Sequence, residues 1–279
     1  MPELPEVETV RRGLEDTVVG RRIDRVRVTG RRSVRRQSPA ELSSRLEGRR
    51  LDAARRYGKF LALGLDDGEV LVIHLRMSGQ LIFVPVPDAV GQAPHTHVVL
   101  AFEDKSELRF VDPRTFGEWY VTDDVGVNGL PSDFSRFGPD PLTDRLGARV
   151  LATRLTRRHC TLKAALTDQR VIAGIGNLYA DEICWAARLR PDRRVDTLED
   201  SDKGRLSRSI SRVLRAATNK RGSSLRDQRY RDLMGNLGGY QAHHEVYDRA
   251  GKACRRCGAS IEKVRFGARV AYCCPSCQL

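Results

Sequence analysis

Apolar residues recur at helical spacing near the start of the chain. They stand three or four positions apart, at Val7, Val10, Leu14 and Val18. Residues at that spacing share one face of a helix, which a folded protein buries. Pro5 suits the first helical turn, and Gly20 suits the position where a helix ends. The pattern therefore predicts a helix over Pro5–Val19.

Strand-like segments dominate the rest of the first half. Those rich in β-branched and aromatic residues are Arg22–Thr29, Leu51–Leu65, Val70–Val84, His97–Phe102 and Glu107–Val121. Asp67-Gly68 and Glu103–Ser106 supply turn chemistry between them. This half therefore predicts a β-sandwich or barrel with one attached helix. We expect it to end near Asn128–Ser132, where glycine and proline appear.

The second half of the chain changes to helical patterning. Its apolar residues suit amphipathic helices, and they include Leu151, Leu155, Leu162, Leu166, Ile210, Val213, Leu214 and Ala217. A glycine-rich turn over Ala173–Asn177 precedes a predicted helix at Leu178–Ala187. Ser223–Gly239 is polar and rich in arginine and glycine, so we expect a mobile loop there. The prediction is an α+β multidomain protein.

Composition argues against a membrane or secreted protein. The chain has 279 residues, 40% of them hydrophobic and 30% charged, which is enough apolar material for a core. The longest apolar candidate, Val70–Val84, is interrupted by polar residues and is shorter than the roughly 18 residues of a membrane helix. The start of the chain is acidic and carries no apolar signal segment. We therefore expect a cytoplasmic protein.

The net charge of +13 is concentrated at one end of the chain. Residues 201–279 hold 17 basic and 6 acidic side chains, whereas residues 1–200 hold 32 basic and 30 acidic. A basic block on an otherwise neutral chain is typical of nucleic-acid binding. Solubility alone is the alternative explanation.

Cysteines cluster at the end of the chain. Cys254 and Cys257 form one C-x-x-C pair, and Cys274 and Cys277 form a second pair after sixteen intervening residues. Two such pairs predict one structural zinc ion held by four thiolates, with no open position for catalysis. Cys273 is a competing ligand, although its spacing to Cys277 does not suit a zinc knuckle. The segment between the pairs predicts a hairpin over Ile261–Tyr272.

The first residues offer a candidate nucleophile. Removal of the initiator methionine would leave Pro2 with a free secondary amine, and an α-amino group has a pKa of about 8. The positive end of the following helix disfavours its protonated form further. Such an amine can attack a sugar C1′ to form an iminium, with Glu3 beside it as an acid or base. The alternative is an ordinary helix start with acidic residues favoured by the dipole.

Five motifs in order resemble the bacterial formamidopyrimidine-DNA glycosylase family. They are the opening Pro2–Thr9, His74–Gly79, Asp112–Gly117, Gly174–Glu182 and the four-cysteine ending. Together they cover essentially the whole chain. The resemblance implies an N-terminal β-sandwich over 1–132, a helix–two-turn–helix domain over 133–228, and a remainder over 229–279. In that remainder the rest of the lesion loop precedes a zinc finger at 245–279.

The same resemblance implies an activity. It implies a bifunctional DNA glycosylase and AP lyase of base excision repair, which removes oxidised purines such as 8-oxoguanine and formamidopyrimidines and then cleaves the strand by β,δ-elimination. Pro2 would be the Schiff-base nucleophile and Glu3 the acid or base. Lys59 would donate a proton in β-elimination and contact phosphate. Arg269 would hold phosphate near the lesion and assist δ-elimination.

The resemblance also implies DNA contacts. Positions that match the family's phosphate and DNA contacts are His95, Arg114, His159, Lys163 and Asn177. Met77, Arg114 and Phe116 match a wedge that fills the gap left by the extruded nucleotide. By pattern alone, ordinary β-core is the preferred explanation of Met77 and Phe116. Tyr240 and the backbone of Ser223–Leu225 are further candidates for base contact.

The expected partner is double-stranded damaged DNA, bound by a monomer that carries one zinc ion. Two alternatives stay open. One is an endonuclease VIII-like glycosylase for oxidised pyrimidines, because Asp227–Leu237 diverges from the family's base-covering loop. The other is a non-catalytic protein that binds damaged DNA.

Overall fold

The chain is described here by a computed structural model that covers residues 1–87, 91, 93–266 and 269–279. It divides into two compact units. The sheet unit comprises Met1–Phe134 and Arg221–Gly239, and the helical unit comprises Ser135–Lys220 and Tyr240–Leu279. The domain boundaries at residues 132 and 228 stay a prediction.

The first helix, α1, covers Leu4–Thr17 and begins with a reciprocal cap. The Glu3 carboxylate accepts the backbone N–H of Glu6, and the Glu6 carboxylate accepts that of Glu3. This capping box satisfies N–H groups that have no partner inside the helix. The observed helix starts one residue earlier and ends two residues earlier than the predicted one.

Two antiparallel sheets of four strands each form the described body of the sheet unit. One has the order β1-β6-β7-β5 and the other β2-β3-β4-β8. The strands are β1 (Ile23–Val28), β2 (Leu51–Tyr57), β3 (Phe60–Leu65), β4 (Val70–His74), β5 (Gln80–Val84), β6 (Thr96–Phe102), β7 (Glu107–Val111) and β8 (Glu118–Thr122). The predicted β-sandwich with an attached helix is confirmed.

One hydrophobic core joins both sheets and α1. Leu14 of α1, Leu61 of β3, Leu100 of β6 and Phe110 of β7 are all fully buried members of it. Each such side chain contributes about 1.5–3 kcal/mol by leaving water. The core therefore fixes the N-terminal end of α1 against the sheets.

Three long apolar segments are each broken into two strands. The breaks fall at Gly58-Lys59, at Leu75–Gly79 and at Asp112–Gly117. Helix α2 (Pro39–Leu46) is an element that periodicity did not predict, although Ser38 caps it and Pro39 occupies its first turn. It is short, so it offers too few turns for a clear periodic signal.

The helical unit contains α3 (Ala148–Leu155), α4 (Leu162–Thr167), α5 (Asn177–Ala187) and α6 (Asp200–Asn219). Leu151, Leu162, Ile183, Leu206 and Leu214 are fully buried in it. This agrees with the predicted amphipathic helices, and α5 begins one residue before the predicted start. No helix of the described residues has the length and apolar character to cross a membrane.

A two-stranded hairpin ends the chain. It pairs β9 (Glu262–Phe266) with β10 (Arg269–Cys273), and Phe266 stands opposite Arg269. The predicted hairpin over Ile261–Tyr272 is therefore present, while its turn residues 267 and 268 lie outside the described part.

Candidate functional site

The start of α1 places three predicted site residues in a buried environment. Pro2 is buried, Glu3 is 3% exposed and Lys59 is 8% exposed. Lys59 occupies the tight turn between β2 and β3, where Gly58 has a φ of 57°. Burial lowers the pKa of Lys59, while the nearby carboxylates of Glu3 and Glu6 raise it. The sheet unit therefore brings a lysine to the carboxylates beside Pro2.

His74 is a further residue at this place. It ends β4, and its ring lies 4.4 Å from that of Phe60 in an edge contact. Its Nδ1 accepts the backbone N–H of Arg76 at 2.9 Å. Burial, together with the charges of Arg76 and Lys59, lowers the pKa of His74 to about 3. A neutral imidazole beside Lys59 is an arrangement that sequence reasoning did not single out.

Glu6 joins the start of α1 to residues 221–239. Its Oε2 accepts the N–H of Glu3 at 2.8 Å, and its Oε1 accepts the N–H of Ser223 at 2.7 Å. Gly222 has a φ of +73°, and a Cβ there would lie 2.5 Å from Glu6 Oε1. Tyr230 adds a hydrogen bond from its hydroxyl to the backbone oxygen of Arg221 at 3.1 Å. The expected mobile loop is thus anchored to the start of α1 at its first residues.

The remainder of this loop is organised around a buried carboxylate. Asp232 accepts the backbone N–H groups of Met234 at 3.1 Å and Asn236 at 2.8 Å. It also pairs with the guanidinium of Arg221 at 3.2 Å. Leu233 is 1% exposed and packs in the core of the sheet unit. The polar composition of Ser223–Gly239 gave no indication of these contacts, so the sequence predicted a mobile loop.

We expect Glu6→Gln to loosen the loop anchor. The amide oxygen replaces only one of the two acceptor oxygens, so either Glu3 or Ser223 then faces an N–H₂ donor. A hydrogen bond to a charged group contributes about 1.5–3 kcal/mol, so the Ser223 amide should open at about 2 kcal/mol lower cost. Hydrogen exchange measures that opening. Glu15→Gln, which alters an exposed carboxylate of the same helix, should leave it unchanged; an equal change in both variants would contradict the assignment.

Asp112 holds together two of the loops that interrupt the apolar segments, Leu75–Gly79 and Asp112–Gly117. Its carboxylate accepts the hydroxyl of Ser78 at 2.5 Å and the backbone N–H groups of Gly117 at 2.7 Å and Arg114 at 3.2 Å. Its own N–H donates to the backbone oxygen of His95 at 3.0 Å. The buried Asp112 carboxylate therefore connects the two loops that carry the predicted wedge, and the Asp112 backbone N–H connects them to His95.

The wedge residues project from those loops into solvent. Met77 is 42% exposed and Phe116 45% exposed, and the Arg114 guanidinium lies 4.8 Å from the Phe116 ring centre. Their exposure excludes the alternative that both are core residues. Large apolar side chains on a polar rim are typical of binding surfaces. His95 is also exposed, and its backbone oxygen accepts the N–H of Asp112, which holds the wedge loops.

In the helical unit, the glycine-rich turn leads into α5. Gly174 has a φ of +94°, Gly176 caps the helix, and Asn177 is exposed at its first position. Backbone N–H groups at a helix start suit a phosphate. Gln169 shapes this turn: its side chain accepts the N–H of Gly174 and donates to the backbone oxygen of Ile175, both at 2.8 Å. No sequence signal had pointed to Gln169.

Lys163 does not fit its expected role as a direct phosphate contact. Its side chain is completely buried, 2.8 Å from the Asp181 carboxylate, and donates to the backbone oxygen of Val270 at 2.6 Å. Asp181 in turn accepts the N–H of Tyr272 at 3.0 Å. Lys163 thus holds β10 against α4 and α5. His159, by contrast, is exposed, with its Nδ1 3.0 Å from Asp196.

The four predicted zinc ligands converge. The Sγ atoms of Cys254, Cys257, Cys274 and Cys277 all lie within 4.8 Å of one another. The Cys254–Cys277 and Cys257–Cys274 pairs are 3.9 and 3.5 Å apart. Zinc–sulfur bonds of about 2.3 Å in a tetrahedron require sulfur separations near 3.8 Å. The thiols therefore fit one structural zinc ion.

Backbone groups support the same cluster. The N–H groups of Arg256 and Cys277 point to the sulfurs of Cys254 and Cys274, each at 3.4 Å. Such donors stabilise thiolates that ligate a metal. Cys273 lies outside this group of sulfurs in the described residues, so the competing ligand is not supported. Arg269 begins β10 at the turn end of the hairpin, opposite Phe266 and five residues before Cys274.

Family models match three consecutive parts of the chain. Residues 1–119 match the formamidopyrimidine-DNA glycosylase N-terminal domain, and residues 137–229 match the H2TH domain of the same family. Residues 251–279 match a zinc finger found in this glycosylase and in isoleucyl-tRNA synthetase. The matches follow the order of the sheet unit, the helices and the cysteine centre.

Individual proteins match over the full chain. The formamidopyrimidine-DNA glycosylase of Herpetosiphon aurantiacus is 42% identical over 279 residues, with complete coverage of both chains. The crystal structure of the MutM (Fpg) protein of Thermus thermophilus aligns with a TM-score of 0.86 and 37% identity, covering 99% of this chain and 98% of that one. The Lactococcus lactis Fpg (MutM), solved with DNA that contains N7-benzyl-Fapy-dG, aligns with a TM-score of 0.90 and 33% identity over 99% of both.

A two-sheet unit, a helix–two-turn–helix unit and a four-thiolate zinc finger together define a class of DNA repair glycosylases. The chain belongs to the formamidopyrimidine-DNA glycosylase family. Enzymes of this family combine DNA glycosylase and AP lyase activity on oxidised purines, and they contain one structural zinc ion.

Proposed function

We propose that this chain excises oxidised purines from double-stranded DNA through Pro2 and then cleaves the strand. The observation that carries the proposal is the convergence of Glu3, Glu6 and Lys59 at the start of α1. A secondary amine at that place has a carboxyl group and a lysine within reach for proton transfer. The capping box and the loop anchor account for the carboxylates of Glu3 and Glu6, whereas the buried Lys59 beside them suits proton transfer.

Access to the damaged nucleotide requires base flipping. An oxidised base inside the stack is out of reach of Pro2, so the nucleotide must rotate out at a cost of a few kcal/mol. We assign Met77 and Phe116 to fill the gap, and Arg114 to hydrogen-bond the orphaned base. Asp112 holds both loops, so it is a positioning residue for this wedge.

The chemistry then follows from an amine and an acid. The lone pair of the Pro2 nitrogen forms a bond to C1′ as the bond from C1′ to the base breaks, and the proton that the Pro2 nitrogen loses passes to the departing base. Glu3 donates a proton to O4′ when the sugar ring opens, which leaves an iminium between Pro2 and C1′. The iminium accepts electrons when C2′ loses a proton, and the 3′ phosphate leaves in β-elimination.

Lys59 and Arg269 complete the assignment. We assign Lys59 as the proton donor and phosphate contact during β-elimination, because its lowered pKa makes proton exchange with its neighbours easier. Arg269 is assigned to phosphate binding and to the δ-elimination that releases the 5′ phosphate. Its place at the start of the second strand of the zinc-finger hairpin supports this assignment.

The helical unit is proposed to hold the DNA backbone. Asn177 at the start of α5 and the exposed His159 would contact phosphates. Lys163 contributes indirectly, by fixing the hairpin that carries Arg269. We further propose that the protein acts as a monomer in the cytoplasm, where chromosomal DNA is accessible and thiolates for zinc stay reduced.

Borohydride trapping tests the proposal. A duplex with one 8-oxoguanine opposite cytosine should yield a covalent adduct, and mass analysis should place it on the peptide that begins with Pro2. An adduct only with an oxidised pyrimidine would favour the endonuclease VIII-like alternative. Tight duplex binding without any adduct, on 8-oxoguanine, oxidised pyrimidine or an abasic site, would favour a non-catalytic binding protein.

Salt should weaken DNA binding steeply. Because Lys and Arg that neutralise phosphates release counterions, the logarithm of the association constant falls linearly with the logarithm of salt concentration, by about 0.9 per phosphate contact. The basic C-terminal residues, with 17 positive and 6 negative side chains over 201–279, should give a slope of several units. Anisotropy titrations over a range of salt concentrations measure it. A flat response would contradict binding through the backbone.

A further inference from the structure

Helix α6 carries a row of arginines on its exposed side. Arg205, Arg208, Arg212 and Arg215 recur every three or four residues. At 100° per residue they fall within an arc of about 80°. The opposite side is buried, with Leu206, Ile210 and Leu214 fully covered by the helical unit. We call this exposed row the α6 arginine face.

The charge of this face is not neutralised. No acidic residue occurs between Lys203 and Lys220 in the sequence. Arg205 is paired with Asp202, whereas Arg208, Arg212 and Arg215 form no ion pair with any described residue. Three cations on one helix face repel each other and destabilise the isolated helix. The three arginines therefore do not stabilise α6, and their placement suits the binding of a polyanionic ligand.

Two open clefts adjoin the arginine face on the side of α5. A cleft of about 560 Å³ is lined by Arg212, Lys220 and Trp185, and also by Glu182 and Glu245. A second cleft, of about 710 Å³, is lined by Arg188 and Arg205, and also by Glu199 and Asp202. Arg256 lines both, and its guanidinium lies 3.9 Å from the Trp185 ring centre. The clefts therefore carry mixed charge, and the three exposed arginines of α6 carry the positive charge that has no acidic partner among the described residues.

The dimensions of the face match a nucleic-acid strand. Ten residues separate Arg205 from Arg215, which corresponds to about 15 Å along the helix axis. A DNA strand advances about 3.4 Å per nucleotide, so the face spans about four to five phosphates. Arginine binds phosphate through two parallel hydrogen bonds, and its charge persists at all physiological pH values.

This face leads away from the phosphate site proposed at Asn177. The cleft linings show that α5 and α6 run antiparallel, because Trp185 lies beside Arg212 and Arg188 lies beside Arg205. Along α5, Asn177 is about 12 Å from Trp185 and about 16 Å from Arg188, so Arg205 marks the far end of the face and Arg215 the near end. The arginine face therefore extends from the end of α6 away from the start of α5.

We infer that the α6 arginine face binds the backbone of a second DNA segment while the damage site holds the first. This inference rests on the proposed function, because it takes the damage site as occupied by DNA. Double-stranded DNA is the polyanion that surrounds an enzyme of this family, and the length of the arginine face matches several successive phosphates of one strand. Contact with phosphates alone implies binding without sequence preference. An enzyme with two such surfaces passes from one DNA segment to another without first dissociating.

Energy transfer between two duplexes tests this inference. A short duplex that carries a donor dye and an uncleavable tetrahydrofuran abasic analogue occupies the damage site, and an undamaged duplex carries the acceptor. With the wild-type protein, energy transfer between the two duplexes should be observed and should decrease as the salt concentration rises. The triple variant R208Q/R212Q/R215Q should weaken the second duplex by at least about tenfold, because three phosphate contacts are lost. Glutamine has a helix propensity close to that of arginine, so α6 stays folded.

Matched controls separate this result from general electrostatics. R25Q/R145Q/R149Q removes the same charge from exposed positions outside α6 and should preserve energy transfer. Both triple variants should retain single-turnover excision and affinity for the short duplex. The inference is overturned if the wild type shows no energy transfer, or if both triple variants lose energy transfer to the same extent. It is also overturned if R208Q/R212Q/R215Q loses affinity for the short duplex. Tighter binding of a single-stranded RNA than of the duplex would reassign the face to RNA.

Discussion

Pro2→Gly should lower both the trapped adduct and strand cleavage at least about a hundredfold, which corresponds to about 2.7 kcal/mol of activation free energy. The proline nitrogen is a secondary amine, so the bond to C1′ creates an iminium with a permanent positive charge. A glycine amine forms an imine, which becomes an equally strong electron acceptor only when it is protonated. Glycine also removes the ring that restricts the nitrogen at the start of α1.

Single-turnover kinetics on 8-oxoguanine and abasic duplexes measure this effect. The variant should bind a tetrahydrofuran duplex with unchanged affinity, because the wedge and the helical unit are untouched. Within one wild-type preparation, molecules that retain Met1 should not react, since their Pro2 nitrogen is part of an amide whose lone pair is delocalised. Full cleavage by Pro2→Gly, or an adduct on Met1-containing chains, would refute the assignment of Pro2.

Cys254→Ser should remove the zinc ion and with it most of the DNA affinity. Structural zinc sites of this type contribute about 10–16 kcal/mol of binding free energy to folding. Without it, the segment around Val246 and Ile261 retains only a small core. The hairpin that bears Arg269 would then lose its position. Metal analysis, anisotropy and near-ultraviolet circular dichroism measure the three consequences.

Two further cysteines serve as controls for that experiment. Cys160→Ser makes the same substitution outside the cluster and should retain one zinc ion per chain. Cys273→Ser addresses the neighbouring cysteine directly: it lies in β10 and outside the group of converging sulfurs, so the zinc ion should again remain. Wild-type zinc content and DNA affinity in Cys254→Ser would show that the metal site is assigned wrongly.

Periodicity located the apolar segments of the sheet unit but not the turns inside them. The long apolar segments over 51–65, 70–84 and 107–121 each contain two strands. The polar and glycine residues inside these segments, such as Gly58 and Ser78, form the turns between the two strands. Those turns carry Lys59 and Met77. Periodicity detects apolar residues well, but a short turn inside an apolar segment changes it little.

Side chains that position the site were beyond reach of the sequence. Glu6 accepts an N–H from Ser223, 217 residues away, and Asp112 accepts a hydroxyl from Ser78 in a different loop. Such contacts depend on which loops the fold brings together. Lys163 is a second example. Its match to the family suggested a phosphate contact, but in the fold its side chain is buried and pairs with the Asp181 carboxylate.

The sheet unit is discontinuous, and this has a consequence for biosynthesis. Residues 221–239 complete it, although the segment 135–220 of the helical unit is made first. At a synthesis rate of about 5–20 residues per second, the Glu6 carboxylate waits roughly 10–45 s for its partner at Ser223. A nascent or prematurely terminated chain therefore has the start of α1 but not the loop that is anchored to it. The sheet unit is completed only after most of the polypeptide has been synthesised.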